Sequence, residues 1–214
     1  MDFKIAPASP ADAARITEIY FSAFANELSN RIMPRTDDVR EFQIARFQSL
    51  AEEASSGSSK NTHFLKIVGT ESDESSAPVI AGFAIWRFFD GDESDSSQQK
   101  RPVQWPPSSD AELCNSFFGH VAEERKRAIG EQPHYYLDML AVAPEFGRRG
   151  LGARLLKWGL DRADRERIIT FISSSPTGRG LYEKHGCKAL NNYQVIPGYR
   201  ETSMVRPVAG LSRG

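Results

Sequence analysis

The segment Pro144-Glu-Phe-Gly-Arg-Arg-Gly-Leu-Gly-Ala153 gathers residue types that handle anions. Gly150 and Gly152 lack the β-carbons that would keep a ligand away from the main chain. The amides that open a following helix have no intrahelical acceptor and point toward an incoming negative charge, and Arg148 or Arg149 adds a guanidinium. A pyrophosphate suits such a turn. The same glycines also suit an ordinary tight turn, so the segment alone leaves both readings open. Two other phosphate motifs are excluded. A dinucleotide fingerprint needs a small residue three positions after Gly152, where Leu155 stands, and no Gly-x-x-x-x-Gly-Lys-Ser/Thr occurs.

Asp138 is the second candidate. It lies two residues before Leu140 in an apolar run, so period-two geometry predicts that the two side chains share one strand face. A carboxylate in such surroundings needs a partner or a task. It is therefore a candidate general base, with pairing to an arginine or capping of a backbone amide as the alternative. His134, at the outer end of the run, and Glu145, beside the glycine turn, are further candidates, and a chain of waters could replace all three. Cys114 and Cys187 sit in apolar patterns with no His–acid pair legible nearby, and read as small buried hydrophobes. The two cysteines and four histidines show no metal-ligand spacing, so no metal is expected.

These residues must be positioned by elements whose periods are readable. His134–Val142 is apolar on both faces, as a central strand is. Gly152, Leu155, Leu156, Gly159, Leu160 and Ala163 form a helical stripe, and Ile168–Ile172 reads as a buried strand. Strand, helix, strand predicts a parallel pair with a right-handed crossover, and the glycine turn falls at its first junction. Upstream, Ser9, Pro10 and Asp12 announce a helix with the stripe Ile16, Ile19, Tyr20, Ala23 and Phe24. A second helix is predicted from Thr36 to about Ala54, then an antiparallel hairpin of Thr62–Val68 and Val79–Phe88. Ser109 and Glu112 have capping-box spacing. They predict a third helix that buries Leu113, Cys114, Phe117, Phe118 and Val121 and leaves Glu123–Arg127 in water. A short helix around Gly178–His185 and strands near 188–195 and 201–205 complete an α/β fold: a mixed, mostly antiparallel sheet with a central parallel β-α-β unit and helices on both faces.

The composition bounds the rest. With 214 residues, 40% of them hydrophobic, a single domain spanning 1–214 is expected, with residues 207–214 as a flexible tail. Twenty-seven basic and 28 acidic residues nearly cancel, which argues against nucleic acid as a partner. The longest apolar runs, Val79–Ile85 and Leu137–Ala143, are too short to span a bilayer, and Met1–Pro10 lacks the order of a signal peptide. The expectation is a protein of the cytoplasm, or the nucleus, with no membrane partner, as a monomer or homodimer. Three polar stretches, Ala54–Lys60, Thr70–Ala77 and Asp90–Lys100, read as solvated connections. No segment repeats at a fixed period.

Three motifs occur in order: Leu140-Ala-Val-Ala-Pro144, Arg148-Arg-Gly-Leu-Gly-Ala153 and Leu181-Tyr-Glu-Lys-His-Gly-Cys187. Together they resemble the GNAT superfamily of acetyl-CoA-dependent N-acetyltransferases, and the predicted order of elements is similar to that fold, with residues 90–133 as an enlarged insertion. The resemblance implies that Leu140, Ala141 and Val142 line the pantetheine arm of acetyl-CoA, with backbone hydrogen bonds from Leu140 and Val142. It implies that Arg148, Arg149, Gly150, Leu151, Gly152 and Ala153 hold the pyrophosphate. Two departures stand out. Gly147 replaces the Gln or Arg with which the family's pattern begins, leaving Arg148 to compensate, and Ser175 stands where many members carry an Asn that contacts the cofactor.

The resemblance further implies direct attack of a primary amine on the thioester in a ternary complex, with Tyr182 as the acid that serves the leaving thiolate. The acceptor would lie between the first helices and the late strands, where Phe21, Phe24, Glu27, Arg31, Trp86, Phe88 and Tyr199 are available, most of them as core. A small-molecule amine is the expected acceptor. A protein lysine or N-terminus is the alternative, and a catalytically idle acyl-CoA-binding module is the reading from another class.

Overall fold

The computed structural model describes residues 1–56, 61–70, 77–91 and 103–208. Most of the three polar stretches and the end of the tail lie outside the described residues. Seven strands form one sheet: β1 (Asp2–Pro7), β2 (Thr62–Thr70), β3 (Val79–Phe89), β4 (His134–Val142), β5 (Ile169–Ser174), β6 (Lys188–Ile196) and β7 (Tyr199–Arg206), in the order β1-β2-β3-β4-β5-β7-β6. All pairings are antiparallel except β4 with β5. The mixed, mostly antiparallel sheet with one parallel unit is the architecture that the sequence predicts.

The two faces of the sheet bury separate cores. Helices α1 (Ala13–Ala23), α2 (Glu27–Ile32), α3 (Asp37–Ser55) and α4 (Ala111–Ile129) cover one face, where Ile16, Ile19, Phe47, Phe64, Phe83, Ile85 and Cys114 pack together. Helices α5 (Leu151–Glu166) and α6 (Arg179–Lys184) cover the other, with Leu155, Leu156, Leu160, Trp86, Leu137 and Tyr182. Apolar side chains alternate between these cores along β3, as period two requires.

Several expectations are corrected. The first strand and the short α2 are additional elements. Ser9 forms a capping box with Asp12, but over a short 3-10 turn at Pro10–Asp12 that leads into α1. The cap of α4 is Asp110, whose carboxylate accepts from the Leu113 amide at 3.0 Å, and not Ser109. In the distal part of α4, Glu123, Lys126 and Arg127 are exposed as expected, but Glu124 and Arg125 turn inward. Glu124 is 2% exposed and accepts from Asn191 Nδ2 and Ser203 Oγ, both at 3.1 Å, because β6 and β7 run beneath it. Arg125 stacks 3.9 Å over the Phe89 ring. The helix is thereby tied to the late strands, and Arg31 to Asp110 at 2.6 Å ties it to α2.

Candidate active site

β4 and β5 run side by side only from His134 with Ile169 to Leu137 with Ile172. Beyond that point β5 pairs with β7 alone, Ser173 with Ser203 and Ser174 with Thr202, while β4 stays on β3 through Val142. The two strands part, and the β5-facing edge of residues 138–142 has no strand partner among the described residues. An open edge of this kind accepts an extended ligand as an added strand. Leu140, Ala141 and Val142 lie along it.

The cause of part of this geometry is a bulge. Ile85 pairs with Met139 and Trp86 with Leu137, so Asp138 is the extra residue on β4. A bulge shifts the alternation by one. Leu137 and Leu140 therefore both face α5, and Met139 and Ala141 face α1 and α3. Asp138 consequently does not share a face with Leu140, as unbroken alternation predicts. It turns to the α3 and α4 side and meets Arg87 Nε at 2.9 Å. Burial alone would raise its pKa, but Arg87, with Arg46 and Arg125 further off, overrides burial and holds the carboxyl below its ordinary value. Of the two roles open to Asp138, the structure supplies the arginine partner.

The glycine turn follows β4. A 3-10 turn at Pro144–Phe146 leads to Arg148, which adopts φ 59°, and to Gly150 at φ 73°, the residue that opens α5. A non-glycine residue in this region costs about 1 kcal/mol or more. No side chain caps the amides of α5. A β-carbon at Gly150 would meet no atom within 4 Å, and one at Gly152 nothing nearer than 3.6 Å. Protein packing thus does not demand glycine at 152, and the space beside Gly150 is open among the described residues. Arg148 and Arg149 are exposed beside it, whereas Leu151 turns into the core. Gly159 differs, since a β-carbon there would collide with the Trp86 indole.

Leu140, Val142 and Leu181 are the side chains nearest Gly152, so β4, α5 and α6 converge at the open edge. Tyr182 is buried in α6, and burial, then the charge of Glu201, pushes its phenol above the ordinary value. It keeps its proton at neutral pH. Ser175 is engaged in its own turn: its hydroxyl accepts from the Gly178 amide at 3.3 Å and lies 3.2 Å from Thr177 Oγ1.

The remaining candidates are placed elsewhere. His134 stacks on Phe89 at the far end of β4, with Nδ1 2.8 Å from the Gln132 carbonyl, and Glu145 pairs with Arg15 at 2.9 Å. Trp86 is fully buried under α5 and lines no acceptor space. Cys114 and Cys187 are free and buried, and burial pushes both thiols up to about 11, which suits buried hydrophobes. Among the described residues no cluster of His, Cys, Asp and Glu is arranged for a metal ion, and no helix is long and apolar enough to cross a membrane.

Besides Glu124, a second buried acid escaped the sequence reading. Glu201 on β7 is 5% exposed, accepting from Tyr199 Oη at 2.9 Å and Ser173 Oγ at 3.1 Å. Its signal was its place in Tyr199-Arg-Glu-Thr-Ser203, two residues from neighbours on the same strand face. Using that signal required knowing which face α4 covers.

The parted parallel pair thus lies directly beside an uncapped glycine turn. The model of the acetyltransferase (GNAT) domain matches residues 111–207, from the first residue of α4 to the end of β7. This chain carries a GNAT acetyltransferase domain. No curated protein sequence matches the chain significantly. Solved structures share the GNAT fold over almost the whole chain. A Corynebacterium glutamicum protein described as histone acetyltransferase HPA2 and related acetyltransferase is 21% identical, with a TM-score of 0.59 and 99% of each chain covered. A mosquito arylalkylamine N-acetyltransferase-like protein, 5b, is 16% identical, with a TM-score of 0.62 and 96% of this chain and 99% of that one covered. The PaiA N-acetyltransferase of Thermoplasma acidophilum, solved with coenzyme A, is 12% identical, with a TM-score of 0.58 and coverage of 97% and 99%. At these identities the likeness establishes the fold.

Proposed function

We propose that this protein transfers the acetyl group of acetyl-CoA to a primary amine of a small molecule, by direct attack in a ternary complex. The observation that carries the reading is the parting of β4 from β5 after Leu137 and Ile172, directly beside the uncapped start of α5. In this reading the main chain of Leu140, Ala141 and Val142 takes the pantetheine arm. The amides of Leu151, Gly152 and Ala153, with Gly150, Arg148 and Arg149, take the pyrophosphate. Bound acetyl-CoA supplies an activated acyl carbon. Ser175, held in its own turn, contributes a contact only if that turn loosens.

Tyr182 is the proton donor for the departing sulfur. Its phenol is protonated at neutral pH and lies in the helix whose Leu181 reaches Gly152. Asp138, ionised against Arg87, is a weak proton acceptor, and its pairing counts against a role as base. The small-molecule acceptor is supported by α4. That helix, from the inserted segment 90–133, packs on β5, β7 and α2, narrowing the face from which an amine approaches. The mosquito neighbour named for arylalkylamines is compatible with this class. Two buried unpaired cysteines suit a reducing compartment such as the cytoplasm.

The test is release of free coenzyme A thiol from acetyl-CoA on mixing with arylalkylamines, polyamines, amino sugars, amino acids and lysine peptides. Thiol above hydrolysis with a small amine is expected. Tyr182→Phe should slow that turnover by about 10²-fold or more while coenzyme A still binds. No thiol with any amine would leave an idle acyl-CoA binder, and thiol with lysine peptides alone would transfer the reading to a protein acceptor.

A further inference from the structure

Three hydroxyls and one carboxyl form a continuous chain on the α4 side of the sheet. Tyr193 Oη lies 2.9 Å from Ser173 Oγ, Ser173 Oγ donates to Glu201 Oε2 at 3.1 Å, and Tyr199 Oη donates to Glu201 Oε1 at 2.9 Å. Its members are placed unequally. Ser173, in the middle of the chain, is the first residue of β5 after β4 departs and so borders the open edge described above. Tyr193 lines a groove of about 300 Å³ between α4 and β6, together with Phe117, His120, Glu123 and Val195. Tyr182, on the opposite face, lies close enough to feel the charge of Glu201.

Resting on the acetyltransferase reading, we propose that Glu201 is the catalytic base, taking the proton of the acceptor ammonium, and that Ser173 and Tyr193 conduct it to the groove. One N–H bond of the ammonium breaks and one O–H bond forms on Glu201, leaving the nitrogen lone pair free to attack. Glu201 then donates to Ser173 Oγ as the Ser173 proton passes to Tyr193 Oη and the Tyr193 proton to water. The hydroxyls turn to this direction once Glu201 is protonated, and the transfer itself restores Ser173 as donor to the ionised carboxylate. A base on one face and Tyr182 on the other bracket the end of β5, which separates proton uptake from proton delivery.

The environment of Glu201 suits this task better than that of Asp138. Burial raises its pKa above the ordinary carboxylate value, and the bonds from Tyr199 and Ser173 offset burial only in part. No arginine or lysine bonds it among the described residues, in contrast to Asp138. The groups around it are Tyr199 on its own strand, Ser173 on β5, Tyr193 on β6, Tyr182 on α6, and, beyond Tyr193, His120 and Glu124 on α4.

The test uses the full chain and whichever of tyramine, spermidine or a lysine peptide the wild type acetylates. Glu201→Gln should lower kcat/KM by about 10²-fold or more and abolish the acidic limb of its pH profile, with coenzyme A affinity by calorimetry kept. Tyr193→Phe leaves both direct donors of Glu201 in place and should slow kcat while the limb remains. His120→Asn should keep the limb. A Glu201→Gln enzyme with the wild-type profile, or a His120→Asn enzyme without the limb, overturns the proposal. Should Glu201→Gln fail to fold, Tyr193→Phe decides, and an unchanged kcat there overturns it. A wild type that releases no thiol with any amine of the full panel above overturns the acetyltransferase reading itself, and this proposal with it.

Discussion

Gly159 lies flat against the indole of Trp86: a β-carbon added at Gly159 would come within 2.2 Å of Trp86 Cε2. The contact joins the middle of α5 to β3 and sets how closely the helix lies on the sheet. Trp86 is fully buried and its indole nitrogen donates to the Leu155 carbonyl at 3.3 Å, so the ring cannot swing aside without losing that bond. Gly159→Ala should therefore destabilise the fold by about 1–3 kcal/mol, against the gain in helix propensity that alanine normally brings. Urea unfolding measures it, and a stabilised variant would show that α5 can lift from the sheet at little cost.

Gly152, seven residues earlier in the same helix, predicts the opposite sign. A β-carbon there would make only ordinary contacts with Leu140, Leu181 and Val142, at 3.6 Å or more. Gly152→Ala should raise stability by about 0.5–1 kcal/mol, through a less flexible unfolded chain. It should also weaken acetyl-CoA binding tenfold or more, since the new methyl fills space next to the helix amides. Paired unfolding and calorimetric titration separate the two effects. An unchanged affinity would mean that no ligand approaches the main chain at this position.

The Arg87–Asp138 pair makes a prediction in pH. Asp138 has a folded-state pKa below its unfolded value, so its contribution to stability is fully present above the unfolded pKa and is lost as pH falls through the folded one. Asp138→Asn removes the buried carboxylate that Arg87 Nε bonds and should cost about 3 kcal/mol at pH 7. Below pH of about 4, where carboxylates begin to protonate, the gap between wild type and variant should narrow. Guanidinium unfolding at pH 7 and pH 3 measures it. A gap that stays constant would indicate that the ion pair contributes nothing, leaving only the packing of the side chain.

Much of this molecule was legible in its sequence because the signals are local. The period changes from helix to strand mark α1, α3, β2, β3, α4, β4, α5 and β5. The turn at Gly150 is set by a residue that accepts φ 73° and by the amides next to it, within ten residues of chain. What the tertiary structure alone decided depends on which strands are neighbours. The single extra residue at Asp138 reverses the faces of one half of β4, and no count of apolar positions reveals a bulge whose evidence is its partner strand. Trp86 faces α5 and not the acceptor space for the same kind of reason. Glu124 and Glu201 look like ordinary exposed acids until α4, which carries Glu124 and lies about 80 residues upstream of β7, packs on the sheet face that carries Glu201. Burial turns such a carboxylate from a solubilising group into one whose protonation matters, and burial is a property of the assembled layers, not of the neighbouring residues in the chain.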